Sequence, residues 1–174
     1  MVAGSILPVA MENGKLYFLF GKENPMENSA KGFSDFGGRI EKNESPFEGA
    51  LREGAEELTG FLGNKQQLKK YIKSVGGPLV MDYNGYHVHI IPIKYDENLV
   101  SYYNNNHAFL WNNMNKKLLN KTKLFEKIEI RWFNTSDIYS KIKLFRPFYR
   151  EIIIDILKGE SVIKDYVNAK KAKL

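Results

Sequence analysis

GGRIEKNESPFEGALREGAEELTGF, residues 37–61, is the stretch on which the reading of this chain turns. It carries six glutamates and no aspartate, inside a chain of 174 residues with a net charge of +6. Ser45 is placed as an N-cap, Pro46 at the first helical position, and Glu48 three residues after the serine to complete a capping box. Phe47, Ala50, Leu51, Gly54, Ala55 and Leu58 then draw one apolar stripe on a helix, and Gly60 supplies the stop. Glu53, Glu56 and Glu57 fall in the opposite sector, so one face packs and the other carries three carboxylates. Like charges three and four residues apart weaken a helix, so the cluster calls for a cation that Arg52 alone cannot replace. Oxygen ligands without cysteine favour hard divalent ions, Mg²⁺ or Mn²⁺. The alternative for the glutamates alone is a solvated acidic face. Gly54, an interior helix glycine on the packing stripe, predicts that the backbone of another element comes close there.

Working outward, SILPVAM and KLYFLFGK flank Glu12-Asn13-Gly14 as a hairpin, and a Gly/Pro/Asn-rich loop leads into the quoted segment. NKQQLKKYIKS reads as a short helix or an exposed loop. PLVMDY and YHVHIIPIKY, joined by Asn84-Gly85, form a second hairpin. Residues 96–127 read as an insertion holding one helix, on the spacing of Leu110, Trp111, Met114 and Leu118. KIEIRWF is a strand, and PFYREIIIDILKG is a closing amphipathic helix. Residues 1–159 thus form one domain, and residues 160–174 a basic, partly frayed tail.

Composition narrows the class. A 43% hydrophobic chain of this length can bury a core. With neither a charged leader nor a long apolar run, it reads as soluble and cytoplasmic with no membrane partner. The lack of cysteine excludes disulfides and thiol nucleophiles. Residues 1–61 hold six Lys/Arg against ten Asp/Glu, whereas residues 62–174 hold twenty against ten. An acidic site backed by a basic remainder suits metal ions and a polyanionic substrate.

Gly38, Glu44, Arg52, Glu53, Glu56 and Glu57 stand as G-x5-E-x7-R-E-x-x-E-E, which resembles the signature of the Nudix hydrolase family. The order hairpin, loop, motif helix, hairpin, strand and closing helix is similar to the same family over most of the chain. The resemblance implies a mixed-sheet α/β/α sandwich with a catalytic loop-helix. It also implies metal-dependent cleavage of a phosphoanhydride in a nucleoside diphosphate linked to another group. By position, Glu53, Glu56 and Glu57 match metal-binding carboxylates, Arg52 the arginine that orients them, and Gly37 a backbone carbonyl that reaches a metal. Glu44 matches a glutamate of structural role. The general base is Glu56 or Glu57, or else Glu129 or Glu126. Two departures from the pattern are Gly54, in place of a larger aliphatic residue, and one extra residue before Gly60.

For the substrate, Lys22, Phe36, Arg39 and Trp132 are candidate contacts, and Trp132, Phe36, Trp111, Phe33 and Tyr86 candidate stacking rings. His87 and His89 share one strand face and read as sheet residues more readily than as ligands. The Lys/Asn-rich insertion and REGAEELTGF are similar to small Nudix proteins of large DNA viruses, some of which remove mRNA caps. A capped RNA is accordingly one expected partner. Nucleotide-pool cleaning and diphosphoinositol polyphosphate hydrolysis are alternatives, as is a non-catalytic RNA-binding module. Oligomeric state stays open.

Overall fold

The computed structural model describes residues 2–26, 31–122 and 125–171. Strand β1 (Ala3–Glu12) turns back at Asn13-Gly14 into β2 (Lys15–Glu23), the expected hairpin. Both turn residues take positive φ, which asparagine and glycine tolerate. Beyond the turn the two strands part. The last residues of β1 pair with β2, but its first four pair with β4 (Phe36–Arg39). The end of β2 pairs instead with β3 (Phe33–Ser34). The segment that enters the motif therefore fills a fork between the two strands.

Strand β6 (Tyr86–Pro92) runs parallel to β1 along its other edge and carries β5 (Leu79–Tyr83) beyond it. Strand β7 (Lys127–Asn134) closes the opposite side on β2. The seven strands make one mixed sheet. Alternation along β1 sends Leu7 and Val9 to one face and Ile6 and Ala10 to the other.

Helices α1 (Pro46–Glu57), α2 (Lys65–Ser74) and α3 (Glu97–Asn113) cover the Ile6 face. The Leu7 face is covered by α5 (Thr135–Ser140), α6 (Tyr149–Lys158) and α7 (Glu160–Lys171), and α4 (Lys116–Thr122) follows α3. The result is an α/β/α sandwich.

Two segments differ from the sequence expectation. The described residues of 96–127 hold two helices. The first is tied to the sheet: Asn104 donates to the Ile130 carbonyl at 3.0 Å and accepts from its N–H at 2.8 Å. One side chain thus satisfies backbone groups on the edge strand, a common way to cover an open edge. Residues 160–171 are a helix and not a frayed tail, since Ile163 and Val167 are buried in the core against the sheet. Of the lysines that gave the segment its tail-like composition, Lys164 follows Ile163 and pairs with Glu160, and Lys170 lies beyond Val167.

Candidate functional site

Helix α1 begins as its sequence requires, with Pro46 in the first turn and Ser45 Oγ accepting from the Glu48 N–H at 3.2 Å. Such a cap contributes about 1 kcal/mol. The Glu48 side chain turns to Lys65 and Lys69 of α2, so it joins two helices. The close contact expected at Gly54 exists, but with a side chain: an added Cβ would lie 2.9 Å from Ile6 Cγ1. Backbone meets backbone elsewhere, at Gly4, where a Cβ would collide with the Pro46 carbonyl. The helix leaves through paired bonds, Thr59 N–H to the Glu56 carbonyl at 2.9 Å and Gly60 N–H to the Ala55 carbonyl at 3.1 Å. This is a Schellman closure in which Thr59, at φ 49°, makes the left-handed step expected of a glycine. It accounts for the extra residue before Gly60.

Arg52 is the organising charge. Its Nε and Nη2 donate to the two oxygens of Glu44 at 3.0 and 2.9 Å, and its Nη1 donates to Glu53 at 2.7 Å. The same Nη1 lies 3.8 Å from Glu56, and Nη2 also donates to the Arg39 carbonyl at 3.0 Å. One guanidinium therefore gathers three carboxylates and fastens them to the end of β4. The hydrogen bonds from Arg52 hold the Glu44 carboxyl down at about 2. The Glu53 carboxylate lies over Gly38, where an added Cβ would be 2.6 Å from Glu53 Cδ, so only glycine lets it settle there.

Glu57 does not share the open face with its neighbours. It is 6% exposed, with Oε2 accepting from the Gly37 N–H at 2.8 Å, whereas the Glu56 side chain is 63% exposed. The cause is the cover over the helix end: Tyr103 of α3 donates its hydroxyl to the Glu57 carbonyl at 2.7 Å and to the Lys127 carbonyl at 3.1 Å. Burial pushes the Glu57 carboxyl well above the usual range; Lys127 opposes this, and Glu23, Glu126 and Glu53 add to it.

Lys127 is itself only 1% exposed. Its ammonium donates to Glu23 and to Ser34 Oγ at 2.9 Å, and lies 3.5 Å from Glu57 Oε1. Arg146 reaches the same Glu23 at 2.6 Å. A period-two reading of β7 puts Lys127 with Glu129 on the far face. A register shift intervenes: Lys22 pairs with Glu129, but Glu23 pairs with Lys127, leaving Ile128 as an extra residue. This bulge re-aims Lys127 towards α1. No feature of a single strand's alternation reveals it.

Several expected contacts fall elsewhere. Glu129 is held by Lys22, at 3.4 Å, and by Arg131. It shares the parity of Phe133, which packs on the α6 face, so it points away from the motif glutamates. Phe36 is wholly buried in the core and offers no face to a base. Trp132 is nearly so, with its indole N–H donating to the Asp96 carbonyl at 3.2 Å. Phe33 is buried, and the Tyr86 hydroxyl donates to the buried Asp35 at 2.6 Å. His87 pairs with Asp82, and His89 is buried with Nδ1 3.1 Å from the Ser5 carbonyl, both satisfied sheet residues. Arg39 ends β4, with its carbonyl accepting from Arg52, whereas the Lys22 ammonium turns with Glu129 away from the motif glutamates.

Among the described residues, no three His, Asp or Glu side chains converge on one point for a metal ion. The donor chemistry nevertheless fits a hard divalent cation: carboxylate oxygens from Glu53, Glu56 and Glu57 beside the Gly37 backbone, with no sulfur. Glu57 departs from a ready ligand because Gly37 and Lys127 already engage it.

Neither a protein-family model nor a curated protein matches the chain. Solved structures do. RenU, a Nudix hydrolase from M. smegmatis, superposes on 91% of this chain and 86% of its own with a TM-score of 0.50, at 14% identity. A C. elegans Ap4A hydrolase in a binary complex covers 94% of this chain and 96% of its own, at 14% identity and a TM-score of 0.48. Over most of its length, the chain has the fold of the Nudix hydrolases. The resemblance to viral proteins has no counterpart in these two structures. No described helix is long and apolar enough to cross a membrane.

Proposed function

We propose that the protein is a metal-dependent pyrophosphohydrolase that cleaves a phosphoanhydride in a nucleoside diphosphate-linked substrate. The observation that carries this reading is the Arg52 clamp. Holding Glu44, Glu53 and Glu56 around one guanidinium keeps mutually repelling carboxylates side by side at a sheet edge, an arrangement a purely structural helix face does not need. Glu53 and Glu56, with Glu57 behind them and the Gly37 carbonyl beside them, would hold Mg²⁺ or Mn²⁺. Such an ion, when bound, shields the diphosphate and acidifies a water molecule. Arg52 keeps Glu53 aimed. Proton removal from the attacking water falls to Glu56, which is open to solvent, or to Glu126, which shares the electrostatic field of Glu57.

A capped RNA is the substrate we favour, acted on in the cytoplasm. Tyr102 and Phe109, 67% and 66% exposed, stand seven residues apart on α3, and Lys116, Lys117 and Lys121 follow on α4. Exposed rings stack on bases and lysines meet phosphates.

The test is hydrolysis, with Mg²⁺ or Mn²⁺, of capped RNA, dinucleoside polyphosphates, normal and oxidised dNTPs, and diphosphoinositol phosphates. Glu53→Gln is expected to abolish turnover with the fold intact by circular dichroism, and Arg52→Lys to lower it on the order of 10- to 100-fold. Absence of hydrolysis across the panel, or full turnover by Glu53→Gln, overturns the enzyme. Tight RNA binding without turnover would mark a binding module instead.

A further inference from the structure

We propose that Lys127 is a built-in cation that competes with divalent metal for Glu57, so that the glutamate is latched to the protein until a metal ion displaces the ammonium. The inference rests on the reading that Glu57 belongs to the metal site. Four features of the chain converge on Lys127. The bulge at Ile128 turns it to the α1 face. Gly21 on the neighbouring strand opens a slot for its stem, since an added Cβ there would stand 2.8 Å from Lys127 Cγ and 2.9 Å from Cδ. Glu23 and Ser34 hold the ammonium from one side. Glu57 Oε1 lies on another side at 3.5 Å, close enough for charge attraction but too long for a hydrogen bond.

That asymmetry gives the latch its direction. The ammonium is anchored to Glu23 and only leans on Glu57, so Glu57 can be released while Lys127 stays buried and paired. Arg146, also on Glu23, keeps that second carboxylate neutralised. A buried carboxylate facing a fixed positive charge is a poorer ligand for a second cation than the same carboxylate without it. Glu53 and Glu56 would therefore be available to a divalent ion before Glu57, which is held in the field of Lys127.

Two substitutions push the latch in opposite directions. Lys127→Gln removes the competing charge and keeps hydrogen-bonding groups in the slot, so Mn²⁺ affinity, read by titration calorimetry or by the EPR signal of free Mn²⁺, is expected to rise about tenfold or more. Glu23→Gln removes the anchor and leaves Glu57 as the main partner of Lys127, so Mn²⁺ affinity is expected to fall. A merely structural lysine would not strengthen metal binding when removed. The melting temperature of Lys127→Gln is expected to drop without metal and recover when Mn²⁺ is added. If Lys127→Gln loses too much stability to be purified, Glu23→Gln carries the test alone, and unchanged or tighter Mn²⁺ binding there overturns the latch. Wild-type protein that binds Mn²⁺ and turns over substrate, with a folded Lys127→Gln of unchanged or weaker Mn²⁺ affinity, overturns the latch and leaves the hydrolase standing. No Mn²⁺ binding by any variant, with no hydrolysis, overturns both.

Discussion

Thr59 sits at φ 49°, a conformation that a β-branched side chain seldom takes and that costs about 1–2 kcal/mol outside glycine. Its hydroxyl oxygen is also buried without a hydrogen-bond partner. Both costs fall on the residue that closes the motif helix, two positions after Glu57. Thr59→Gly removes them together, set against the greater freedom glycine has in the unfolded chain. The expected outcome is a gain of about 1 kcal/mol in urea denaturation with the fold unchanged. Gly54 makes the complementary point on the same helix: its missing side chain is a void shaped for Ile6, so its helix-propensity cost of about 1 kcal/mol is offset by close packing on β1. At Arg52 the charge arithmetic is local as well. Four hydrogen bonds from one guanidinium are spread over Glu44, Glu53 and the Arg39 carbonyl, a division that a lysine's single ammonium cannot reproduce.

At the scale of elements, α7 is the member whose removal is most informative. It packs Ile163 and Val167 into the core and donates the Tyr166 hydroxyl to the Gly77 carbonyl at 2.7 Å. Truncation after Gly159 is expected to cost roughly 3–6 kcal/mol, at about 1.5–3 kcal/mol for the lost burial of each of Ile163 and Val167, and to be read as a lower denaturation midpoint. A true tail would cost nothing. Helix α1 was legible from sequence because its start, stripe and motif are all local signals between Ser45 and Leu58. The hairpins were legible from Asn13-Gly14 and Asn84-Gly85 for the same reason. Lys127 was not, because a bulge on β7 is a property of two strands in register. Glu57 was read as exposed because helical periodicity describes one helix, whereas its cover comes from Tyr103, forty-six residues away. Ring stacking by Phe36 and Trp132 failed likewise: an aromatic residue's type says that it packs, and only the sheet decides against what.

Over the whole molecule, the acidic first third is set against a basic remainder, and the basic part includes both the Lys127 network and the α4 lysines. If the latter meet an RNA body, binding must weaken as salt rises, because each phosphate contact releases counterions. Replacing Lys116, Lys117 and Lys121 by glutamine is expected to flatten the slope of log affinity against log salt by roughly 2 to 3 for capped RNA. Cleavage of a free dinucleoside polyphosphate, which lacks that body, should be nearly unaffected. Filter binding across a salt series separates the two.

The fork between β1 and β2 has a dynamic meaning as well. Because β4 is zipped to the first residues of β1, Gly37–Arg39 cannot swing without breaking sheet hydrogen bonds. A substrate bound there would meet a wall whose order was set when the sheet formed. Recognition there draws on preorganisation, with the entropy of ordering met once in folding and not again at each encounter.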